Sequence, residues 1–211
     1  LLISDEVICG FGRTGELFGC QTFGFEPDIL VVAKALSSAY LPISAVLMND
    51  RVYQAVADNT AKIGTFGHGF TYGGHPVSAA VALEALKIYR ERDITAQVRR
   101  VSPRLQDGLR ERFADHPLVG EVRGIGLVAG VELVADRRTG TPFDPPGRVG
   151  AYCVERAQEH GAILRHIGDT IALSPPLVIE EAQIDALLER LGRALDDTAA
   201  WVAREGLASV A

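Results

Sequence analysis

Two charged residues close apolar runs in the first part of the chain. Asp5 follows Leu1-Leu2-Ile3-Ser4, and Lys34 follows Ile29-Leu30-Val31-Val32-Ala33. A lysine that closes a buried strand is expected to be partly desolvated, which favours its neutral, nucleophilic amine. Such an amine can form a Schiff base with an aldehyde. If both runs are strands of one parallel sheet, Asp5 and Lys34 emerge at the same carboxyl-terminal edge, where open α/β sheets bind ligands. Pyridoxal phosphate needs that pair: a lysine for the aldehyde and a carboxylate that keeps the pyridine nitrogen protonated. The spacing alone fits equally well a sheet whose buried strands end in soluble residues.

The elements that must position these residues can be read from the pattern around them. Residues 1–4, 29–33 and 43–48 are short continuous apolar runs of the kind found in parallel strands buried on both faces. Gly10-Phe11-Gly12-Arg13-Thr14-Gly15 spells a dinucleotide-binding fingerprint directly after the first run. That fingerprint requires a helix behind it, and Gly19, Gly24 and Pro27 interrupt any helical stripe, so a glycine-rich turn is expected. Asp50 is placed to cap a helix over 51–58, and Pro76 to open one over 77–91. In the latter, Glu84, Lys87 and Glu91 form a narrow polar stripe, which predicts a largely buried helix. Between them, the glycine- and aromatic-rich residues 64–75 are a candidate functional loop.

The sequence divides near residue 94, giving domains over 1–93 and 94–211. Ile94, Val98 and Val101 form one helical stripe and Leu105, Leu109 and Phe113 another. Ser102-Pro103 between them reads as a cap with proline in the first turn, so a kinked or broken helix pair is expected. Strands follow at 118–123 and 127–134, then a helix near 148–160 stopped by Gly161. Strands at 162–166 and 170–174 are expected to form a hairpin through Gly168-Asp169, followed by an amphipathic helix with Ile184, Leu187, Leu191 and Leu195. This half reads as a small α+β domain.

Composition excludes several classes of partner. The 211 residues carry a formal net charge of −6 and no basic block, so nucleic acid is not an expected partner. No apolar stretch is long enough to cross a membrane, and no signal peptide is seen. Cys9, Cys20 and Cys153 have neither disulfide nor zinc spacing, which suits a reducing cytoplasm. His68 and His75 lack an adjacent carboxylate or thiol, so no metal is expected there. The chain opens on Leu1 without a methionine, and a piece of a longer protein is expected.

Residues 5–46, from Asp5-Glu6-Val7 through Leu41-Pro42-Ile43-Ser44-Ala45-Val46, and the segment His68-Gly69-Phe70-Thr71-Tyr72-Gly73-Gly74-His75-Pro76 carry a wider resemblance. With residues 122–134 and 163–177 they resemble the class III (omega) aminotransferases, pyridoxal-phosphate enzymes of fold type I. The resemblance implies an α/β fold, with part of the large parallel-sheet domain joined to the small C-terminal domain. It implies Lys34 as the Schiff-base lysine and proton carrier, Asp5 as the pyridinium partner, and Val7 as the residue packed on the ring. Val7 is placed two residues further along the strand, facing the same way as Asp5. Phe70 and Thr71 match the segment that reaches the cofactor phosphate of a second subunit, implying a homodimer. Arg165 matches the residue that binds a substrate carboxylate; on its own, an arginine at a strand end is an ordinary surface residue.

The implied reaction is transamination from an amine or omega-amino acid to a keto acid such as pyruvate. The same lysine and aspartate would also serve an aminomutase, a decarboxylase or a phospho-lyase, and a truncated piece would be non-catalytic. Ala35 and Ala39 stand where the family usually has glycine, which matters wherever the backbone requires positive φ.

Overall fold

In the computed structural model, which describes residues 1–207, the first apolar run forms strand β1 (Ile3–Asp5). A turn-rich segment and the short helix α1 (Gly19–Phe23) lead to β2 (Ile29–Val32). β1 and β2 pair in parallel, with Asp5 opposite Val31. Strand β3 (Ala45–Met48) completes the sheet in the order β1-β2-β3, but it runs antiparallel to β2 instead of parallel. Helices α2 (Asp50–Ile63) and α3 (Pro76–Glu91) follow. The cap of α2 is Asn49, whose side chain accepts from the Val52 N–H at 3.1 Å, while Asp50 is the first helical residue.

The core of this first unit, Leu1–Ala96, is a cluster of Phe11, Val32, Leu36 and Ala82 with Tyr89 and Leu86 packed against it. Burial on both faces of the strands, expected from their apolar runs, is not found: Ile3, Val46, Leu47 and Met48 are exposed. Helix α3 is likewise not largely buried. Its buried residues are Ala82 and Ala85, and Leu83 is 70% exposed. The cluster covers only one side of each element, so an apolar composition here does not mean burial within the chain.

The second unit, from Gln97 onward, is built on the sheet order β4-β5-β7-β6, antiparallel throughout. Helix α4 (Ile94–Phe113) precedes β4 (Val119–Ile125) and β5 (Val128–Leu133). Helix α5 (Arg148–Glu159), the hairpin β6 (Arg165–Ile167) with β7 (Thr170–Leu173), and α6 (Glu181–Glu205) complete it. The hairpin turns through Gly168 at φ 57°, and Asp169 accepts the Gly147 and Gly150 N–H groups of the α5 N-terminus at 2.7 Å each.

The expected break at Ser102-Pro103 does not occur; α4 is one helix with Pro103 inside it. Val98, Val101, Leu105 and Leu109 are all fully buried, and Arg104 makes a two-pronged pair with Asp185 of α6 at 2.7 Å. One continuous buried stripe outweighs the single backbone bond that proline removes, since each buried leucine contributes about 2 kcal/mol. Replacing the exposed Pro103 by alanine restores that donor and is expected to stabilise this unit. Urea unfolding of Pro103→Ala should show a gain of about 2 kcal/mol, the helix-interior cost of proline less its entropic benefit to the unfolded chain. A loss would mean that the helix is already broken there.

Asp28 ties three segments together at the amino-terminal edge of the first sheet. It accepts from the Leu2 N–H at 2.9 Å, Asn49 Nδ2 at 2.8 Å and Arg51 Nη2 at 2.5 Å. The Leu2 N–H first, then Arg51 and Asn49, hold its carboxyl down to about 2. A carboxyl lowered on folding contributes stability that is complete above the unfolded value of about 4 and lost as pH falls through the folded one. Acid titration of stability between about pH 4 and 2 should therefore be steeper for the native sequence than for Asp28→Asn; equal slopes would remove Asp28 from this role.

Candidate active site

The parallel pairing of β1 with β2 brings Asp5 and Lys34 to one edge. Asp5 is the last residue of β1, paired with Val31, and Lys34 lies two residues beyond the end of β2. Asp5 is exposed, and its Oδ1 accepts from the Val7 N–H at 3.1 Å. Val7 is therefore in the turn after the strand, where strand alternation no longer sets its direction, and it is half-buried. Lys34 is exposed, not buried behind the apolar run as expected.

Lys34 opens a 3₁₀ turn, Lys34–Ser37, and has φ 45°; Ser38 and Ala39 follow at 53° and 60°. Three non-glycine residues in the left-handed region within six positions store about 1–3 kcal/mol each, which the surrounding contacts must offset. Ala39 thus occupies a backbone position suited to glycine, whereas Ala35 does not.

The glycine-rich segment spends several of its amides on its own turn. The Gly10 N–H bonds Glu6 O at 2.8 Å, the Phe11 N–H bonds Leu17 O at 2.6 Å and the Gly15 N–H bonds Gly12 O at 3.0 Å. Gly10 is required by close approach, since a Cβ there would lie 2.7 Å from Glu6 O. The turn folds Phe11 into the core, edge-on to Phe18 with ring centroids 5.5 Å apart.

The residue that fixes this turn is Glu6, which sequence reasoning passed over. It is 2% exposed; its Oε1 accepts from Ser4 Oγ at 3.0 Å and the Cys20 N–H at 2.7 Å, and its Oε2 from the Gly19 N–H at 2.8 Å. The alternation of β1 held the signal: Ser4 and Glu6 point inward while Ile3 and Asp5 point outward.

Phe70 and Thr71 lie in the exposed 64–75 loop, Phe70 with 76% of its surface open. A turn there closes by the Gly73 N–H on Phe70 O at 2.9 Å. His75 belongs to the start of α3, where its Nδ1 accepts the Val77 N–H at 3.3 Å. Arg165 is exposed at the start of β6 in the second unit. Burial raises the thiols of Cys9, Cys20 and Cys153, the last to about 11, so none is poised as a thiolate. An outward carboxylate beside an exposed amine, with a hydroxyl-bearing glycine loop elsewhere in the unit, fits the donor set of pyridoxal phosphate better than that of a nucleotide or a metal.

The family model for Aminotransferase class-III matches residues 1–195, and the chain belongs to that family. Its fold is that of the pyridoxal-phosphate-dependent transferases of fold type I. A crystal structure of the omega transaminase from Pseudomonas jessenii in complex with PMP is 52% identical with a TM-score of 0.91, covering 96% of this chain and 45% of that one. A transaminase solved with L-ala is 55% identical with a TM-score of 0.90, covering 96% and 48%. Gamma aminobutyrate transaminase 3, chloroplastic, of Solanum lycopersicum is 50% identical over 198 residues, or 94% of this chain and 38% of that protein. The chain thus spans less than half the length of these relatives.

Glu6→Gln leaves one acceptor oxygen for three donors and turns an amide NH₂ against a backbone N–H. It should destabilise the first unit by about 3 kcal/mol, read as a lower denaturation midpoint. An unchanged midpoint would show that the carboxylate does not hold the turn.

Proposed function

We propose that the complete protein is a pyridoxal-phosphate-dependent transaminase, moving an amino group from an amine or omega-amino acid to a keto acid such as pyruvate. The observation that carries this reading is the single sheet edge shared by Asp5 and Lys34. Membership of the class-III aminotransferases supports it. Residues 1–93 are assigned to the cofactor-binding large domain and 94–211 to the small domain.

When bound, pyridoxal phosphate supplies an aldehyde that captures the amine and a ring that accepts the electrons of a broken C–H bond. Lys34 Nζ would hold the cofactor's aldehyde and would be the group that carries a proton to and from the reacting carbon. The Asp5 carboxylate would keep a proton on the cofactor's ring nitrogen, and Val7 would supply apolar contact to the ring. Arg165 is assigned to the acceptor's carboxylate, because its planar fork suits two-pronged binding.

Phe70 and Thr71 are assigned to a second copy of the chain, where the Thr71 hydroxyl and neighbouring amides would hold the phosphate. Their exposure leaves them available for that contact. We assign the protein to the cytoplasm on its three free cysteines. Among the described residues no helix is long and apolar enough to cross a membrane.

In the full-length protein, Lys34→Ala should lose both the visible absorbance of lysine-bound cofactor and turnover; retention of both would contradict the assignment. Arg165→Ala should slow the pyruvate half-reaction at least ~10-fold, the worth of a charge-assisted contact, while sparing an uncharged amine donor. An intact pyruvate half-reaction would favour another reaction of the same fold.

A further inference from the structure

One side chain grips the Lys34 turn from a distant part of the sequence. Tyr89, on α3, places its hydroxyl 2.7 Å from Ala35 O and 2.9 Å from Ser38 Oγ. A phenol has one proton, so Tyr89 donates to the carbonyl and accepts from the Ser38 hydroxyl. Its ring packs against the core cluster, 6.5 Å from the Phe11 ring centre, which anchors the hydroxyl from the interior side.

The two residues it touches sit next to or within the strained positions Lys34, Ser38 and Ala39. Ala35 follows Lys34, and Ser38 is the first of the two left-handed residues that end it. Backbone bonds from Leu36 N–H to Ala33 O at 2.9 Å, Ser38 N–H to Ala35 O at 3.1 Å and Ala39 N–H to Lys34 O at 3.1 Å close the turn locally. All of these local bonds lie within residues 33–39, so none of them ties the turn to another element. The Tyr89 hydroxyl adds a tether from another element, at Ala35 and Ser38, that opposes relaxation of this backbone towards negative φ.

We infer that Tyr89 is a positioning residue for Lys34: its hydroxyl holds the Lys34–Ala39 backbone in the left-handed conformation from which the lysine works. The inference rests on the reading of Lys34 as the cofactor lysine. Tyr89 itself touches neither substrate nor cofactor in this role.

The test is Tyr89→Phe in the full-length protein, which keeps the ring and removes the hydroxyl. In cofactor-free protein, the amides of Leu36, Ser38 and Ala39 should exchange with deuterium roughly 10-fold faster than in the native sequence. In loaded protein, the pH midpoint of the lysine-bound cofactor's absorbance should move by roughly half a unit, and kcat should fall about 10-fold with donor KM within about twofold. Ser38→Ala, which keeps the bond to Ala35, should shift the same readouts in the same direction by less, and it serves if Tyr89→Phe fails to fold. Unchanged exchange and an unchanged absorbance titration, with or without a lower melting temperature, would overturn the inference and leave Tyr89 a packing residue. A failure of the Lys34 reading shows separately, as absorbance retained in Lys34→Ala, because amide exchange in cofactor-free protein does not involve the cofactor.

Discussion

The register of β1 against β2 is the constraint on which the site depends. Pairing Asp5 with Val31 turns Asp5 outward at the edge where Lys34 emerges, and turns Glu6 inward. A slip of one residue would exchange those directions, burying Asp5 and sending Glu6 to the surface. A pairing of three residues specifies register weakly by itself, and this one is pinned from both ends. At the carboxyl end the Glu6 N–H bonds Val31 O at 2.8 Å, and the Glu6 carboxylate then locks the chain that follows. At the amino end Asp28 accepts from the Leu2 N–H. Two acidic residues, one buried and one near the surface, thus hold a third where it can face a ligand.

Conformational strain is concentrated beside this edge. Lys34, Ser38 and Ala39 are all left-handed, and nothing in their side chains favours that state as glycine or asparagine would. The conformation survives because packing and hydrogen bonds from elsewhere over-determine it, Leu36 being buried in the core cluster and Tyr89 reaching across from α3. The glycine-rich segment solves the opposite problem. There the backbone closes on itself, and Phe11, at φ 65°, is held by the burial of its ring.

The shared edge of Asp5 and Lys34 was legible because strand ends are marked by the change from apolar to charged residues. The parallel pairing behind them follows from the same runs. Most elements of the second unit were equally legible, since its stripes and turn residues agree with one another, as in the Gly168-Asp169 hairpin. Local signals failed where tertiary packing outvoted them. Pro103 reads as a helix start, but the continuous buried face of α4 carries the helix through it. Apolar composition predicted buried strands and a buried α3, yet composition reports what an element can bury, not what this chain supplies to cover it. Glu6 was hidden because a carboxylate is seldom buried without partners and its backbone partners lie 13 and 14 residues away, although its parity with Ser4 placed it inside. The contact of Tyr89 with residues more than 50 positions earlier has no signature in spacing at all.

The central claim is that this edge presents Lys34, and not another amine, to the cofactor. The chain contains only two further lysines, Lys62 in the last turn of α2 and Lys87, which pairs with Glu84 on α3. Borohydride reduction of the cofactor-loaded full-length protein, followed by peptide mapping, reads the attachment point directly. The account predicts the reduced adduct on the peptide containing Lys34; an adduct on Lys62, on Lys87 or on a lysine outside this sequence would contradict it.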